Sequence, residues 1–182
     1  MSKFNLKTER LELIACTLEI VQAETRCRST FSQLLDARVP ENWPPPLNDE
    51  QTLLWFLEKC QENPHQVGWL GWYFLLNDRV KNERVTIGNG GFKGQPTPDG
   101  TVEIGYSILP EYQNKGYGTE AIKALLNWAF EHPEVKRAIA ETLPELKASQ
   151  RLLEKCNFVY IGEGSEAGVI RFELCKNNLV SN

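Results

Sequence analysis

Histidine, methionine and paired cysteines are scarce in this 182-residue chain. It has two histidines, His65 and His132, one methionine and five cysteines. Both histidines stand beside prolines in predicted loops and are read as solvent-facing. That leaves little for a histidine triad or a histidine-rich metal centre. The cysteines (Cys16, Cys27, Cys60, Cys156 and Cys175) are odd in number and contain no C-x-x-C pair. Neither a zinc site nor a redox dithiol follows, and the thiols are expected to be reduced and packed inside. No metal is expected. Excess positive charge is missing too. Twenty Lys and Arg stand against 24 Asp and Glu, a net charge of −4. With no basic stripe, nucleic acid is not an expected partner. The longest apolar stretch, residues 67–76, falls far short of the roughly 20 residues that cross a bilayer. The first ten residues lack the apolar core of a signal peptide. A cytoplasmic protein without membrane attachment is expected.

What the chain has is an ordinary globular composition, 41% hydrophobic and 24% charged. Its length suits one domain, residues 1–182, able to bury a core without disulfide staples. Alternation over residues 11–15 predicts a first strand after a polar lead-in. Residues 18–37 carry apolar side chains at helical spacing, as one helix or two short ones. Four prolines in residues 39–47 then force an extended loop. Asn48 or Asp49 can cap a helix whose inner face is Leu53, Leu54, Leu57 and Cys60.

Residues 67–77, dense in aromatics, read as a long central strand, with Trp69, Trp72, Tyr73 and Phe74 in the core. A turn over 78–83, a strand over 84–92, a loop over 93–100 and a strand over 101–109 complete an antiparallel meander. The pattern then changes to a helix over 119–130, with Ala121 or Ile122, Leu125, Leu126 and Ala129 inward. A strand over 137–142 follows. Next comes a helix over 145–156 with Ala148, Leu152, Leu153 and Cys156 inward, then strands over 158–161 and 169–175. The expected fold is α+β: a mixed, mostly antiparallel sheet of about seven strands, helices on both faces, and one splayed parallel pair.

The chemistry concentrates in residues 102–121, where a strand runs into a Gly-x-Gly loop and then a helix. The first amides of a helix lack internal partners, and the dipole makes its start positive. Gly116 and Gly118 let the backbone curl close to a ligand, which builds a pyrophosphate seat. The competing explanation is a glycine-softened loop with no ligand. A Walker loop is excluded because Lys115 precedes its glycine. A dinucleotide fingerprint is nominally allowed with Ala121, but an antiparallel meander is the wrong setting for it.

Gln113-Asn-Lys-Gly116-Tyr-Gly118 resembles the acetyl-CoA signature of the GNAT superfamily of N-acyltransferases, Gln/Arg-x-x-Gly-x-Gly/Ala. Its flanks resemble the family too: Glu103-Ile-Gly-Tyr106 upstream, and a second segment running from Ala148-Ser149 through Glu154-Lys155 to Phe158. Leu6-Lys-Thr-Glu-Arg10-Leu11-x-Leu13 resembles the opening strand of the RimJ/RimL-like branch, the ribosomal-protein N-terminal acetyltransferases. The chain departs from the family at Leu146, where an Asn is usual, at Asn157, where a Gly is usual, and at Leu153, where some members carry an acid tyrosine.

The resemblance implies direct transfer of an acetyl group from acetyl-CoA, as cosubstrate, to a small amine or a peptide N-terminus. It places the pyrophosphate on the amides of Asn114, Lys115, Gly116, Tyr117, Gly118 and Thr119, with Gln113 opening the loop. The pantetheine would pair with the backbone of Ile108 and Leu109, and one of these two amides would serve the thioester oxygen. Glu103 would be the base, or else a solvated strand carboxylate or one ion-paired with a neighbouring strand. Ser149 would serve the leaving thiolate, or else bond its own preceding turn. Tyr106 faces away from Glu103 and is read as packing. The acceptor site falls to the Trp43 loop, with Trp43 as wall or as plug, and to the turn over 162–168, where Glu163 and Glu166 could attract a cationic amine or else simply form a solvated turn. The alternative is a non-catalytic acyl-CoA-binding module. An edge strand could pair two copies as a homodimer.

Overall fold

The structure, a computed structural model, describes residues 4–78 and 81–178. Part of the predicted turn over 78–83 therefore lies outside the described residues. Among the described residues eight strands form one sheet: β1 (Asn5–Lys7), β2 (Leu11–Ala15), β3 (Gly71–Asp78), β4 (Glu83–Phe92), β5 (Thr101–Ile108), β6 (Arg137–Thr142), β7 (Val159–Glu163) and β8 (Ile170–Cys175). Their order is β1-β2-β3-β4-β5-β6-β8-β7. Every neighbouring pair is antiparallel except β5–β6. The expected mixed α+β class with one parallel pair is what the chain adopts. The additional strand, β1, is three polar-flanked residues paired to β2; so short a run carries no alternation to read.

Among the described residues five α-helices cover the sheet: α1 (Leu18–Arg26), α2 (Arg28–Leu35), α3 (Glu50–Glu62), α4 (Tyr117–Phe130) and α5 (Lys147–Lys155). Residues 18–37 are thus two helices. Thr17 caps α1 by accepting the Ile20 N–H, and Cys27 leaves helical geometry between the two. Cys27 is exposed, contrary to the expectation for the thiols, and hydrogen bonding from Ser29 and Thr30 lowers it to about 7. Asp49 caps α3, its carboxylate accepting the Thr52 N–H at 2.8 Å. The inner face of α3 differs from expectation. Leu54 is 54% exposed, while Phe56 and Leu57 pack beneath.

β3 begins at Gly71 rather than residue 67, because the backbone turns at Gly68 with φ +92°. Trp69, Trp72, Tyr73 and Phe74 are nevertheless all core residues. Leu153 of α5 and Cys156, which caps its C-terminus, are buried but Ala148 is exposed, unlike the expected inward face. Asn157 takes the left-handed conformation (φ 65°) where the family has glycine, a conformation Asn tolerates better than most residues. His132 is also not free in solvent: its ring packs against Trp69 and Trp128.

Two cores flank the sheet. One joins Trp72, Phe74, Ile87 and Ile104 to Ile122, Leu125 and Leu126 of α4. The other joins Tyr73 and Leu75 to Val21, Phe31 and Leu35 of α1 and α2. Successive β3 side chains feed opposite cores, as strand geometry requires. Each fully buried large apolar side chain contributes about 1.5–3 kcal/mol.

Candidate active site

The site begins with how β5 divides its pairing. Its first three residues pair with β6, Thr101↔Arg137 through Glu103↔Ile139. The remainder, Ile104 to Ile108, pairs with β4. β5 and β6 therefore part after Glu103. The Leu109 N–H donates to Ile87 C=O at 2.9 Å, and the Lys93 N–H to Glu103 C=O at 2.9 Å. Antiparallel ladders alternate bonded and non-bonded pairs. Tyr106 and Ile108, opposite Gly90 and Gly88, must then turn their backbone groups away from β4 and into the gap. Of the two amides considered for the acyl oxygen, Leu109 is committed to β4 and Ile108 faces the gap. The Ile108 C=O accepts the Gln113 side-chain amide at 2.8 Å. Gln113 thus fastens the loop to the strand.

After a 3-10 turn over Pro110–Tyr112, Asn114 (φ 58°) and Gly116 (φ 84°) are both left-handed. Two such residues in three turn the chain sharply between β5 and the following helix. α4 begins at Tyr117, two residues earlier than the periodicity predicts, with Gly116 as N-cap. Apolar spacing starts only further along the helix, so it could not mark this polar first turn. The first helical bond runs from Glu120 N–H to Gly116 C=O. The amides of Tyr117, Gly118 and Thr119 consequently have no acceptor inside the helix. Gly118 lets α5 pack close: a Cβ there would sit 2.7 Å from Leu152 Cδ1, and the end of that side chain would have to shift.

Behind the gap, Tyr106 Oη lies 3.0 Å from Ser149 Oγ. Burial pushes the Tyr106 phenol up to about 12, although Ser149 opposes the shift. Tyr106 thus keeps its proton near neutral pH and can supply a hydrogen bond to Ser149. Leu153 is 1% exposed and sits in the core, so no polar group replaces the acid tyrosine of other members at that position.

Glu103 lies on the opposite face of the sheet, ion-paired with Lys93. Its neighbour two residues on, Gly105, is exposed, and a Cβ there would have nothing within 4 Å. This bare strip has walls. The Ser107 hydroxyl donates to Pro46 C=O at 2.6 Å, and Asn89 donates to Asn48 at 3.2 Å. These bonds hold the proline-rich loop against β4 and β5. On the other side Glu141 accepts from Ser165 and Arg171. Trp43 is a plug: its indole N–H donates to Glu24 at 2.8 Å and its ring packs by Phe31 and Tyr73. Local sequence gave no signal for Lys93 as partner of Glu103, nor for the Tyr106–Ser149 contact.

A parallel pair that opens beneath a helix start, with unpaired strand amides below and free helix amides above, suits an extended donor ending in phosphate. The residues present fit coenzyme A on their chemistry: the Tyr117, Gly118 and Thr119 amides have no acceptor inside the helix, and the Ile108 amide faces the gap beside β5. The profile of the acetyltransferase (GNAT) domain matches residues 18–159. The chain is 27% identical over 163 residues to the uncharacterized N-acetyltransferase YjdG of Bacillus subtilis, covering 88% of this chain and 93% of that protein. Among solved structures, RimJ of Mycobacterium smegmatis in complex with CoA-disulfide superposes with a TM-score of 0.63 at 17% identity, covering 94% of this chain and 85% of that one. The ribosomal-protein-S5-alanine acetyltransferase of Vibrio fischeri gives 0.60 at 20% identity, covering 96% and 97%. The chain belongs to the GNAT acetyltransferase family. It is an acetyl-CoA-dependent acyltransferase.

Proposed function

We propose that the acceptor is the α-amine of a peptide or protein N-terminus. The observation that carries this reading is the exposed Gly105 on the Glu103 face of β5, where a Cβ would meet nothing within 4 Å. A small amine gains affinity from an enclosing, concave site. A chain terminus needs only a trough into which its first residues can lie. Charge supports the same choice. Lys93 stands at the strip beside Glu103 and repels polycationic amines. An α-amine has a pKa of about 7.7–8.0, against about 10.4 for a lysine. It is therefore partly neutral at physiological pH and asks less of its base.

Glu103 takes the proton that the amine must shed, directly or through one water, and Lys93 orients the carboxylate. The bound donor supplies an activated acyl group and a thiolate leaving group. The Ile108 N–H serves the acyl oxygen, and fixed donors of this kind contribute about 2.7–4 kcal/mol in other acyl-transfer sites. Ser149 Oγ, backed by Tyr106, donates to the departing sulfur. The amides of Asn114 through Thr119 hold the pyrophosphate. The relatives named for ribosomal proteins support a protein terminus as acceptor. Thiol release from acetyl-CoA with a panel of free and Nα-blocked peptides, alongside small amines, tests this. Turnover of free peptides, lost on blocking the terminus, is expected. Turnover of small amines alone would overturn it.

A further inference from the structure

The donor loop is gripped from outside by a residue 105 positions away in sequence. Arg10 sits where β1 turns into β2, and its guanidinium reaches three parts of the loop and helix start. Nε donates to Glu120 Oε2 at 2.7 Å, and Nη1 donates to Lys115 C=O at 3.0 Å. The guanidinium carbon lies 4.6 Å from the Tyr117 ring centroid. Nη2 points at the turn itself, 3.2 Å from where a Cβ on Gly116 would be. Glu120 is held in turn by the Arg10 backbone N–H at 2.8 Å and by the Thr8 hydroxyl at 2.6 Å. Burial alone would raise the Glu120 carboxyl, but these bonds hold it below its ordinary value.

This arrangement answers a charge problem. Glu120 lies in the first turn of α4, where a carboxylate suits the helix dipole but repels a diphosphate seated on the same amides. Arg10 cancels that charge at contact distance. It also fixes the carbonyl of Lys115, and hence the direction of the peptide that carries the Gly116 amide. Only a planar fork can serve Glu120 and Lys115 at once while lying on Tyr117.

We propose that Arg10 is a positioning residue of the acetyl-CoA site: it sets the Lys115–Gly116 turn and neutralises Glu120 beside the diphosphate. The proposal rests on the reading that residues 114–119 seat the pyrophosphate. It assigns the seat a cationic component that backbone amides alone lack.

Two donors separate the possibilities: acetyl-CoA, and S-acetylpantetheine, which has the same thioester and arm but no phosphate. For Arg10→Ala, KM for acetyl-CoA should rise about tenfold or more, as for loss of a charged hydrogen-bonded group. kcat and the acceptor KM should stay within about twofold, and kcat/KM for S-acetylpantetheine should not move. Arg10→Lys, which keeps charge without the fork, should fall between the two and guards against a folding defect in the alanine variant. Equal losses with both donors, or unaltered KM for acetyl-CoA in both variants, would overturn the proposal. Gly116→Asp is the control for the underlying reading. It should abolish acetyl-CoA binding by clash and repulsion, and unaltered affinity in titration would remove the loop as the seat. Loss in Gly116→Asp with none in Arg10→Ala or Arg10→Lys sinks only the role of Arg10.

Discussion

The two halves of the sheet are clothed differently. β2 and β3 are packed on both faces, one by α4 and the other by α1 to α3. β5, β6 and β8 are packed by α4 and α5 on one face. Their other face presents Glu103, Glu141, Arg171 and Glu173, each partly exposed and each in an ion pair. The first half excludes water and supplies stability. The second half leaves polar side chains beside a gap in the strand pairing, where a donor and an acceptor could meet from opposite faces. One glutamate from each half makes the contrast concrete. Glu103 borders open space and has a lysine partner. Glu24 is largely enclosed and receives only the neutral donors Trp43 and Tyr73.

The largest expected effect is on Glu103. Glu103→Gln keeps the shape and removes the proposed base. Turnover should fall by about 10²- to 10⁴-fold, the usual contribution of a positioned acid or base. Stability should stay within about 0.5 kcal/mol, because a half-exposed ion pair contributes little. Donor affinity should not change. The loss should be steepest at neutral pH, where acceptor amines are still partly protonated. A variant with the parent's pH–rate profile would remove Glu103 from the chemistry and leave Lys93–Glu103 as an ordinary cross-strand pair.

Glu24→Gln probes the covered half through stability. Burial raises the Glu24 carboxyl above 4.5, the hydrogen bonds from Tyr73 and Trp43 opposing only in part. Its folded pKa therefore exceeds its unfolded one. The folded state holds the proton longer, so this group's stabilising contribution is complete below the unfolded value. It is lost as pH rises through the folded value. Cys16 and Tyr73, beside it, are both pushed well above their ordinary values by burial, and keep their protons throughout that window. Gln can still accept from one donor and bond the other. The stability of Glu24→Gln relative to the parent should thus improve as pH rises from about 4.5 through the raised value, read from urea midpoints at several pH values. A difference that is flat with pH would mean that Glu24 ionises as freely folded as unfolded.

The elements were legible where their pattern is local. Alternation located β2, Gly and Pro punctuation bounded the meander, and Gly116 and Gly118 marked the loop. What was illegible is what joins distant residues. Arg10 reads as one charge in a polar lead-in, and only the fold brings it against Lys115 and Glu120. Lys93 falls in a loop, and only the β4–β5 register aligns it with Glu103. Nothing in residues 50–62 distinguishes Leu54 from Phe56 as the inward side chain, because α3 packs by one edge and its apolar residues outnumber its buried positions.

The smallest effect concerns the roof of the open half. α5 carries Ser149, yet its N-cap is Leu146, which makes no side-chain hydrogen bond and is 38% exposed. The Ala148 and Ser149 amides, at the second and third helical positions, lack the side-chain acceptor that an Asn would provide. Leu146→Asn should stabilise α5 by ~1 kcal/mol, near the middle of the range for such caps. The gain should be local. α5 packs against the sheet mainly through Leu153 and Cys156 at its far end, so its first turn can open without unfolding the covered half. Amide exchange at the start of α5 should therefore slow about fivefold, while the global urea midpoint moves much less. If the whole gain appeared in the global midpoint, α5 would open only with the molecule as a whole. The two halves of the sheet would then share one cooperative unit despite their unequal cover.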